Sequence, residues 1–185
     1  MSFFSQEELK KIGFGNVGKN VRVSKKASLY NPQNIFIGDN TRIDDFCVLS
    51  AGTEIRIGCN VHIAVFASLI GKGKIIIDDY AGISSRVSLY SSDDDYTGEY
   101  MTNPTIDRQY TNVTHGKVVI GRHVIIGSGS IVLPNVVIKE GACVAALSLV
   151  KENCQAFGVY MGVPAKKIKE RSRKLIEIEE EFKQG

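Results

Sequence analysis

Val17-Gly-Lys-Asn20 opens a phrase that the chain repeats every 20 residues, as Ile37-Gly-Asp-Asn40, Ile57-Gly-Cys-Asn60 and Ile77-Asp-Asp-Tyr80. Two aliphatic residues follow each start at steps of six, as Val23 and Leu29 do in the first repeat. An amphipathic helix needs apolar residues three and four positions apart, and a strand with one buried face needs strict alternation, so neither fits this step. The repeat instead predicts short strands joined by sharp corners and stacked as coils.

Each six-residue step carries one large aliphatic residue and one small residue near the corner, such as Val21 or Ala27. Three steps make a triangular coil, and stacked coils bury a narrow core that no single coil could bury. The two extra residues of a 20-residue coil fall on its third side, in turn-forming segments such as Asn31-Pro32 and Gly71-Lys-Gly73. The sequence therefore predicts an all-β solenoid over residues 17–155.

The remaining segments complete a single domain over residues 1–185. Ser5 and Glu8 have the spacing of a capping box, which predicts a short helix over residues 5–13 that covers the first coil. Residues 91–117 lack the period and predict one long polar loop on the looser corner. Residues 164–183 predict a helix with an apolar packing stripe formed by Ile168, Leu175, Ile178 and Phe182.

Composition excludes several classes of protein. A net charge of +3 over 185 residues is too small to indicate a nucleic-acid partner, and no apolar run approaches the length of a membrane span. The N-terminus lacks the pattern of a secretory signal, which predicts a cytoplasmic protein. Cys47 and Cys154 occupy the small interior position of a coil, where a reduced thiol behaves as a small hydrophobe.

The six-residue pattern resembles that of the hexapeptide-repeat acyltransferases, whose coils form a left-handed parallel β-helix. The resemblance covers the chain from Val17 to about Val150. It implies acetyl-CoA as the acyl donor. It also implies a homotrimer with active sites between subunits, in which the loop of one chain reaches its neighbour.

A second resemblance lies in the tail, where Gly162-Val-Pro-Ala165 and the lysines after it look like the closing motif of sugar and xenobiotic acetyltransferases. That motif seats coenzyme A along the last coils of those enzymes. The resemblance implies cofactor contacts for the pantetheine arm at Ser128, Ala146 and Lys151, and for the phosphates at Lys166, Lys167 and Lys169. Ordinary coil residues and a solvated terminal helix are the alternative interpretations of these positions.

His62 is the favoured catalytic base, and two loop residues are the alternatives. Relatives that acetylate simple sugars place a histidine just after the strand before the loop, and here that place holds Asp93-Asp94-Asp95. His62 lies at a polar corner position and has the pKa range of a general base, with a surface histidine as the alternative. Asp94 and His115, near the two ends of the loop, are the other candidates. The backbone N–H groups near Gly127-Ser128 are a candidate site for oxyanion stabilisation.

The resemblance extends to acetyltransferases of nucleotide-linked 4-amino-4,6-dideoxyhexoses in cell-surface glycan synthesis. The phrases that carry it include Val61-His-Ile-Ala64, Ile83-Ser-Ser-Arg86 and Asp94-Asp-Tyr-Thr-Gly98. It implies a sugar or nucleotide-sugar acceptor that touches Arg86, Asp93, Asp95 and Tyr96, although a simple turn cap also explains any one of the aspartates. These phrases do not separate O-acetylation from N-acetylation.

Three other functions compete with this interpretation. An O-acetyltransferase of simple glycosides or small xenobiotics would use the same solenoid. A metal-dependent lyase on this fold needs three histidines around zinc, but His62 and His123 lie in coils too far apart, so we expect no metal site. A purely structural subunit needs neither the long loop nor the basic tail, which makes it the weakest of the three.

Overall fold

The computed structural model describes residues 2–184 and is a left-handed parallel β-helix with one α-helix at each end. Three sheets form the faces of a triangular solenoid, and successive strands of each sheet come from successive coils. Within residues 2–184, neither helix is long and apolar enough to cross a membrane.

The strands are named in chain order and grouped here by face. Face 1 contains β1 (Asn16–Val17), β4 (Ile35–Ile37), β7 (Glu54–Ile57), β10 (Lys74–Ile77), β15 (Val118–Ile120) and β18 (Val137–Ile138). Face 2 contains β2 (Arg22–Val23), β5 (Arg42–Ile43), β8 (His62–Ile63), β11 (Gly82–Ile83), β16 (Ile125–Ile126), β19 (Cys143–Val144), β21 (Gly158–Met161) and β22 (Lys166–Glu170). Face 3 contains β3 (Ser28–Tyr30), β6 (Val48–Ala51), β9 (Ser68–Gly71), β12 (Ser88–Tyr90), β17 (Ile131–Val132) and β20 (Leu149–Val150).

The core is a column of equivalent aliphatic side chains stacked in register. Ile37 pairs with Ile57, which pairs with Ile77, and all three are at most 2 % exposed. The small residues of the repeat fill the corners, as predicted for Cys47 and Cys154, which are both buried. Burial raises the pKa of the Cys47 thiol to about 11 and that of the Cys154 thiol to about 12, so neither is a reactive thiolate near neutral pH.

The corner between faces 1 and 2 shows why asparagine recurs in the repeat. Asn20, Asn40 and Asn60 adopt left-handed backbone conformations with φ near 56°, which asparagine tolerates better than most residues. Asn20 Nδ2 also donates a hydrogen bond to Asn40 Oδ1 at 3.1 Å. His123 occupies the same slot with φ 58°, so its position is a coil corner, as the repeat predicts.

The N-terminal helix α1 spans Gln6–Ile12 and has the predicted capping box. Ser5 Oγ accepts a hydrogen bond from the Glu8 N–H at 3.2 Å, and the Glu8 carboxylate accepts one from the Ser5 N–H at 2.7 Å. Gly13 ends the helix at φ 83°. Leu9, which is 1 % exposed, packs into the hydrophobic core, so α1 covers the open end of the solenoid.

The C-terminal segment differs from the prediction, which placed one helix over residues 164–183. Its first part is β22, which pairs antiparallel with β21, and the helix α2 spans only Lys174–Gln184. The last strand of face 2 would otherwise leave its outer row of backbone N–H and C=O groups without partners. Pairing with that edge therefore overrides the helical propensity of the lysine-rich segment.

Helix α2 also packs differently from the prediction, because its one buried residue is charged, and Phe182 of the apolar stripe contacts the solenoid only through an edge-on approach to the Tyr80 ring at 6.3 Å. Ile178 and Phe182 are 51 % and 64 % exposed, whereas Glu179 is 4 % exposed. The Glu179 carboxylate contacts the Arg122 guanidinium, His123 Nε2 at 2.6 Å and Lys183 Nζ at 2.8 Å. A buried ion cluster thus holds the helix against the corner of His123.

Substituting Glu179 by alanine is expected to destabilise the protein, toward the low end of about 3–5 kcal/mol, because Arg122 and His123 lose their buried acceptor. The matched control is Glu180→Ala, which removes an exposed carboxylate from the same helix turn and should leave stability nearly unchanged. Urea denaturation of both variants measures the difference, and equal midpoints would show that the cluster contributes nothing.

Candidate active site

The long loop leaves face 3 after β12 and returns to face 1 at β15, and a short ladder closes its base. Strands β13 (Ser92–Asp93) and β14 (Thr114–His115) pair antiparallel, with Ser92 opposite His115. The base lies directly on the coil below, where a Cβ on Gly71 would come within 2.4 Å of Ser91 Oγ and one on Gly73 within 2.5 Å of the Gly116 carbonyl oxygen. Glycine at both positions therefore lets the loop cross this corner.

The three adjacent aspartates have different environments. The Asp95 carboxylate accepts hydrogen bonds from Thr97 Oγ1 at 2.9 Å and from the Gly98 N–H at 3.0 Å, so it caps the turn. Although desolvation acts to raise it, these hydrogen bonds hold the pKa of Asp95 below its ordinary value. Asp93 lies in β13, opposite Thr114. The exposed carboxylate of Asp94 has no hydrogen-bond partner anywhere in the described residues.

Two cavities meet at Asp94. The first, which we name the polar lobe, has a volume of about 410 Å³ and is lined by Lys72, Asn103, Arg108 and His115. The second, which we name the apolar lobe, has a volume of about 870 Å³ and is lined by Ile70, Tyr90, Ile131, Leu133 and Leu149. Asp94, Pro104 and Val113 line both lobes. Both volumes lie in the range of small-molecule sites. Asp94, the one carboxylate of the described residues that lines both lobes, stands on the ridge between them.

The structure brings several other predicted residues to these lobes. His115 lines the polar lobe, and its Nδ1 lies 2.8 Å from Ser92 Oγ, which also accepts a hydrogen bond from the Lys72 N–H at 2.8 Å. Asp93 and Tyr96 line the apolar lobe, and Tyr96 is 86 % exposed. The predicted loop residues therefore share one cleft, with Asp94 at its centre.

His62 lies elsewhere, on the outer side of face 2. Its Nε2 is 2.9 Å from Asp44 Oδ2, and the other oxygen of that buried carboxylate accepts a hydrogen bond from Arg42 Nε at 2.7 Å. Arg86 stands at the next corner, between faces 2 and 3, with its guanidinium 5.3 Å from the ring centroid of Phe66. Within one chain, the structure does not bring His62 or Arg86 to the cleft that contains Asp94.

The residues predicted to bind the cofactor are all exposed and follow the last coils. Ser128 and Ala146 stand at equivalent positions of successive coils, because β16 pairs with β19 in that register. Lys151 lies just after β20, at the end of the apolar lobe, and Lys166, Lys167 and Lys169 lie on β22. Two of these lysines have partners, since Lys166 approaches Glu152 at 3.9 Å and Lys167 approaches Glu170 at 2.5 Å.

Two features of the cleft differ from the sequence interpretation. The Gly127 N–H donates to the Val144 carbonyl oxygen at 2.8 Å, so it is engaged within the coil stack, and of the predicted pair only the Ser128 N–H stays a candidate oxyanion donor. The cations of the polar lobe, Lys72 and Arg108, were missed entirely. Lys72 carries a weak signal, because it stands between two glycines at the base of the loop, whereas nothing in the aperiodic loop distinguishes Arg108.

Comparisons with known proteins agree with this architecture. Residues 117–152 match the model of the bacterial transferase hexapeptide family (six repeats). The chain is 58 % identical over 184 residues to dTDP-4-amino-4,6-dideoxy-D-glucose acyltransferase from Escherichia coli, a match that covers 99 % of this chain and 96 % of the relative. It is also 30 % identical over 135 residues to the putative lipopolysaccharide biosynthesis O-acetyl transferase WbbJ of Escherichia coli K12, covering 73 % of this chain and 60 % of that protein.

The same similarity holds in three dimensions. AntD, an N-acyltransferase from Bacillus cereus solved with dTDP and 3-hydroxybutyryl-CoA, matches with a TM-score of 0.96 and 54 % identity over 99 % of this chain and 97 % of its own. Other AntD structures are of its D94A and D94N variants and of an S84C variant with dTDP-4-amino-4,6-dideoxyglucose and coenzyme A. This chain has aspartate at position 94 and serine at position 84. By its coils and by its full-length similarity, the chain belongs to the hexapeptide-repeat acyltransferases.

Proposed function

We propose that this protein transfers the acetyl group of acetyl-CoA to the 4-amino group of dTDP-4-amino-4,6-dideoxyglucose. The observation that carries the proposal is the position of Asp94, an unpaired carboxylate on the ridge between a polar and an apolar lobe. The similar Escherichia coli and Bacillus cereus proteins supply the identity of the acceptor. Cell-surface glycan synthesis in the cytoplasm is the setting that this acceptor favours.

Asp94 has the chemistry that amide formation requires. The neutral amine nitrogen attacks the thioester carbonyl carbon, the C–N bond forms, the C–S bond breaks, and coenzyme A leaves as its thiolate. The nitrogen must lose a proton in the process, and a carboxylate at the meeting point of the two lobes can accept it. In this mechanism, no covalent bond forms between the acyl group and the protein.

The lobes suit the two substrates in different ways. The apolar lobe extends from Asp94 across β17 to β20, toward Lys151 and the exposed Ser128 and Ala146 edge. Apolar walls followed by lysines fit a pantetheine arm followed by phosphates. Arg86, Asp93, Asp95 and Tyr96 remain the proposed acceptor contacts, with Asp95 acting through the turn that it caps.

We further propose a homotrimer in which each active site lies between two copies. AntD was solved with substitutions at both Asp94 and Ser84, which suggests that both residues report on one site. In this chain, strand β12 on face 3 lies between Ser84 and Asp94 in the sequence. The ten residues from Ser84 to Asp94 span up to roughly 33 Å when extended. The loop of one copy would therefore meet the Ser84 edge of the next, which also carries His62 on the neighbouring coil.

This arrangement limits the role of His62. A neutral amine attacks a thioester without a base, and Asp94 accepts the proton that is released. The His62→Ala variant is therefore expected to keep kcat within about tenfold of the wild-type value, although a lost general base costs about 10²–10⁴-fold. Steady-state kinetics with the amino sugar checks this, and a loss of more than a hundredfold would assign the base to His62.

Product analysis tests the proposed function as a whole. The protein is incubated with acetyl-CoA and dTDP-4-amino-4,6-dideoxyglucose, and the product is examined by mass spectrometry and NMR. An amide at C4 is the expected product. An ester on a sugar hydroxyl would contradict N-acetylation, and a protein that binds neither substrate would favour the purely structural subunit.

A further inference from the structure

The polar lobe contains two cations that the reaction at Asp94 does not use. Lys72 and Arg108 both line it, and in the described part of the chain neither side chain has an ion-pair or hydrogen-bond partner. His115 and Asn103 line the same cavity and add polar groups. Two unpaired cations that line one cavity attract an anionic group, since they supply charge and hydrogen-bond donors together.

Both cations stand on backbone that is fixed by other contacts. The Lys72 N–H donates to Ser92 Oγ at 2.8 Å, which ties it to the base of the loop. Arg108 begins a 3-10 turn, Arg108–Tyr110, whose N-cap Asp107 accepts a hydrogen bond from the Gln109 N–H at 3.0 Å. The Tyr110 carbonyl oxygen in turn accepts one from the Met101 N–H at 2.9 Å. The lobe is therefore held in shape before a ligand enters, which reduces the entropic cost of binding.

Lys72 and Arg108 lie far along the solenoid from the residues proposed to bind the phosphates of coenzyme A. Along face 3 the strand order is β20, β17, β12 and β9, and Lys72 directly follows β9. At about 4.8 Å between neighbouring strands, Lys72 lies roughly 14 Å along the solenoid from the coil that contains Lys151. Asp94 lines both the polar lobe, which contains Lys72, and the apolar lobe, which reaches Leu149. The anion beside Lys72 and Arg108 therefore belongs to the substrate that approaches Asp94 from the side opposite coenzyme A.

We propose that Lys72 and Arg108 bind the diphosphate of the nucleotide-linked acceptor and make the enzyme selective for diphosphate-linked over free sugars. This inference rests on the proposed function, since among possible acceptors only a nucleotide-linked sugar, and not a free sugar or simple glycoside, carries a diphosphate. The planar guanidinium of Arg108 binds phosphate oxygens in pairs, and the Lys72 ammonium adds a compact point charge. The amino group at the other end of the acceptor then reaches Asp94.

Calorimetric titration of the full-length protein tests this with three ligands: dTDP, uncharged thymidine and coenzyme A. The variants are Arg108→Gln and Lys72→Gln. Lys117→Gln is the matched control, because it removes an exposed lysine at the end of the loop that lines neither lobe. We expect each test variant to weaken dTDP binding about 10- to 100-fold, to leave thymidine and coenzyme A binding within twofold, and the control to change none of them.

The outcomes separate this inference from the proposed function. If the wild-type protein binds dTDP and both test variants bind it equally well, the diphosphate assignment is wrong while the acceptor stands. If the test variants lose coenzyme A instead, the polar lobe belongs to the donor. If the wild-type protein binds no dTDP, the proposed acceptor and this inference fall together.

Discussion

The Asp94→Asn variant is expected to lose about two to four orders of magnitude in kcat while it still binds both substrates. Asparagine keeps the shape of the side chain but cannot accept the proton that the amine nitrogen releases as the amide forms. Because Asp94 has no hydrogen-bond partner in the described residues, the substitution should not disturb the loop. Steady-state kinetics with acetyl-CoA and the amino sugar measures the effect, and calorimetry with dTDP and coenzyme A shows that binding remains.

The matched control for this variant is Glu99→Gln. Glu99 is an exposed carboxylate on the same loop that lines neither lobe, so its loss should leave kcat unchanged. An Asp94→Asn protein with kcat within about threefold of the wild-type value would remove Asp94 from the reaction. The base would then have to be sought at His115, which lines the same polar lobe.

Mixed trimers of two inactive variants are expected to recover about one third of wild-type activity. The first variant, Asp94→Asn, lacks the proton acceptor on the loop. The second, Ser84→Tyr, places a bulky ring on the edge proposed to face the neighbouring loop. A site is intact when its loop comes from the second variant and its edge from the first, which happens at one of the three interfaces of every proposed trimer that contains both variants. Co-expression with two affinity tags isolates the mixed species for assay.

The activity of the mixed trimers distinguishes a site shared between two chains from a site built within one chain. If each chain builds its own site, every chain in the mixture carries one defect, and mixing restores nothing. A Ser84→Tyr protein with full activity on its own would equally contradict a site that includes this edge. Circular dichroism and size-exclusion chromatography of each variant alone establish that the losses do not come from misfolding.

The solenoid could be predicted because the residues that determine each coil are close together in the sequence and recur in every coil. Each coil needs a large aliphatic residue, a small residue and a corner residue that tolerates a left-handed backbone, and Ile37, Thr41 and Asn40 show all three within a few positions. One deviation in a single coil does not hide such a pattern. Helix α1 could be predicted for the same reason, because its capping box lies within four consecutive residues of the sequence.

The C-terminal segment could not be predicted because a distant edge determines it. Residues 166–170 form a strand only because β21 presents an unpaired edge to them. Likewise, Glu179 is buried because Arg122 and His123 face it from the coil stack, a contact across more than 50 positions that no periodicity shows. The spacing of Ile168, Leu175, Ile178 and Phe182 in the sequence predicted a helix with an apolar buried side.

The site was predictable only in part, for similar reasons. Three adjacent aspartates at the start of a long loop indicated where the chemistry lies. Asp95 is held by the turn that it caps, which depends on the three-dimensional course of residues 95–100. Of the other two aspartates, only Asp94 lines both lobes. The sequence favoured His62 over Asp94 as the base, because histidine is the residue type most often used as a general base. The sequence does not show that a whole face of the solenoid separates His62 from the loop.

The most direct measurement is the rate of thiol release from acetyl-CoA with two acceptors that differ at one atom, dTDP-4-amino-4,6-dideoxyglucose and its 4-hydroxyl counterpart. The account predicts that kcat/KM for the amino sugar exceeds that for the hydroxyl sugar by about a thousandfold or more, because a neutral amine attacks unaided and Asp94 is placed to accept its proton. Equal rates, or a preference for the hydroxyl sugar, would contradict it.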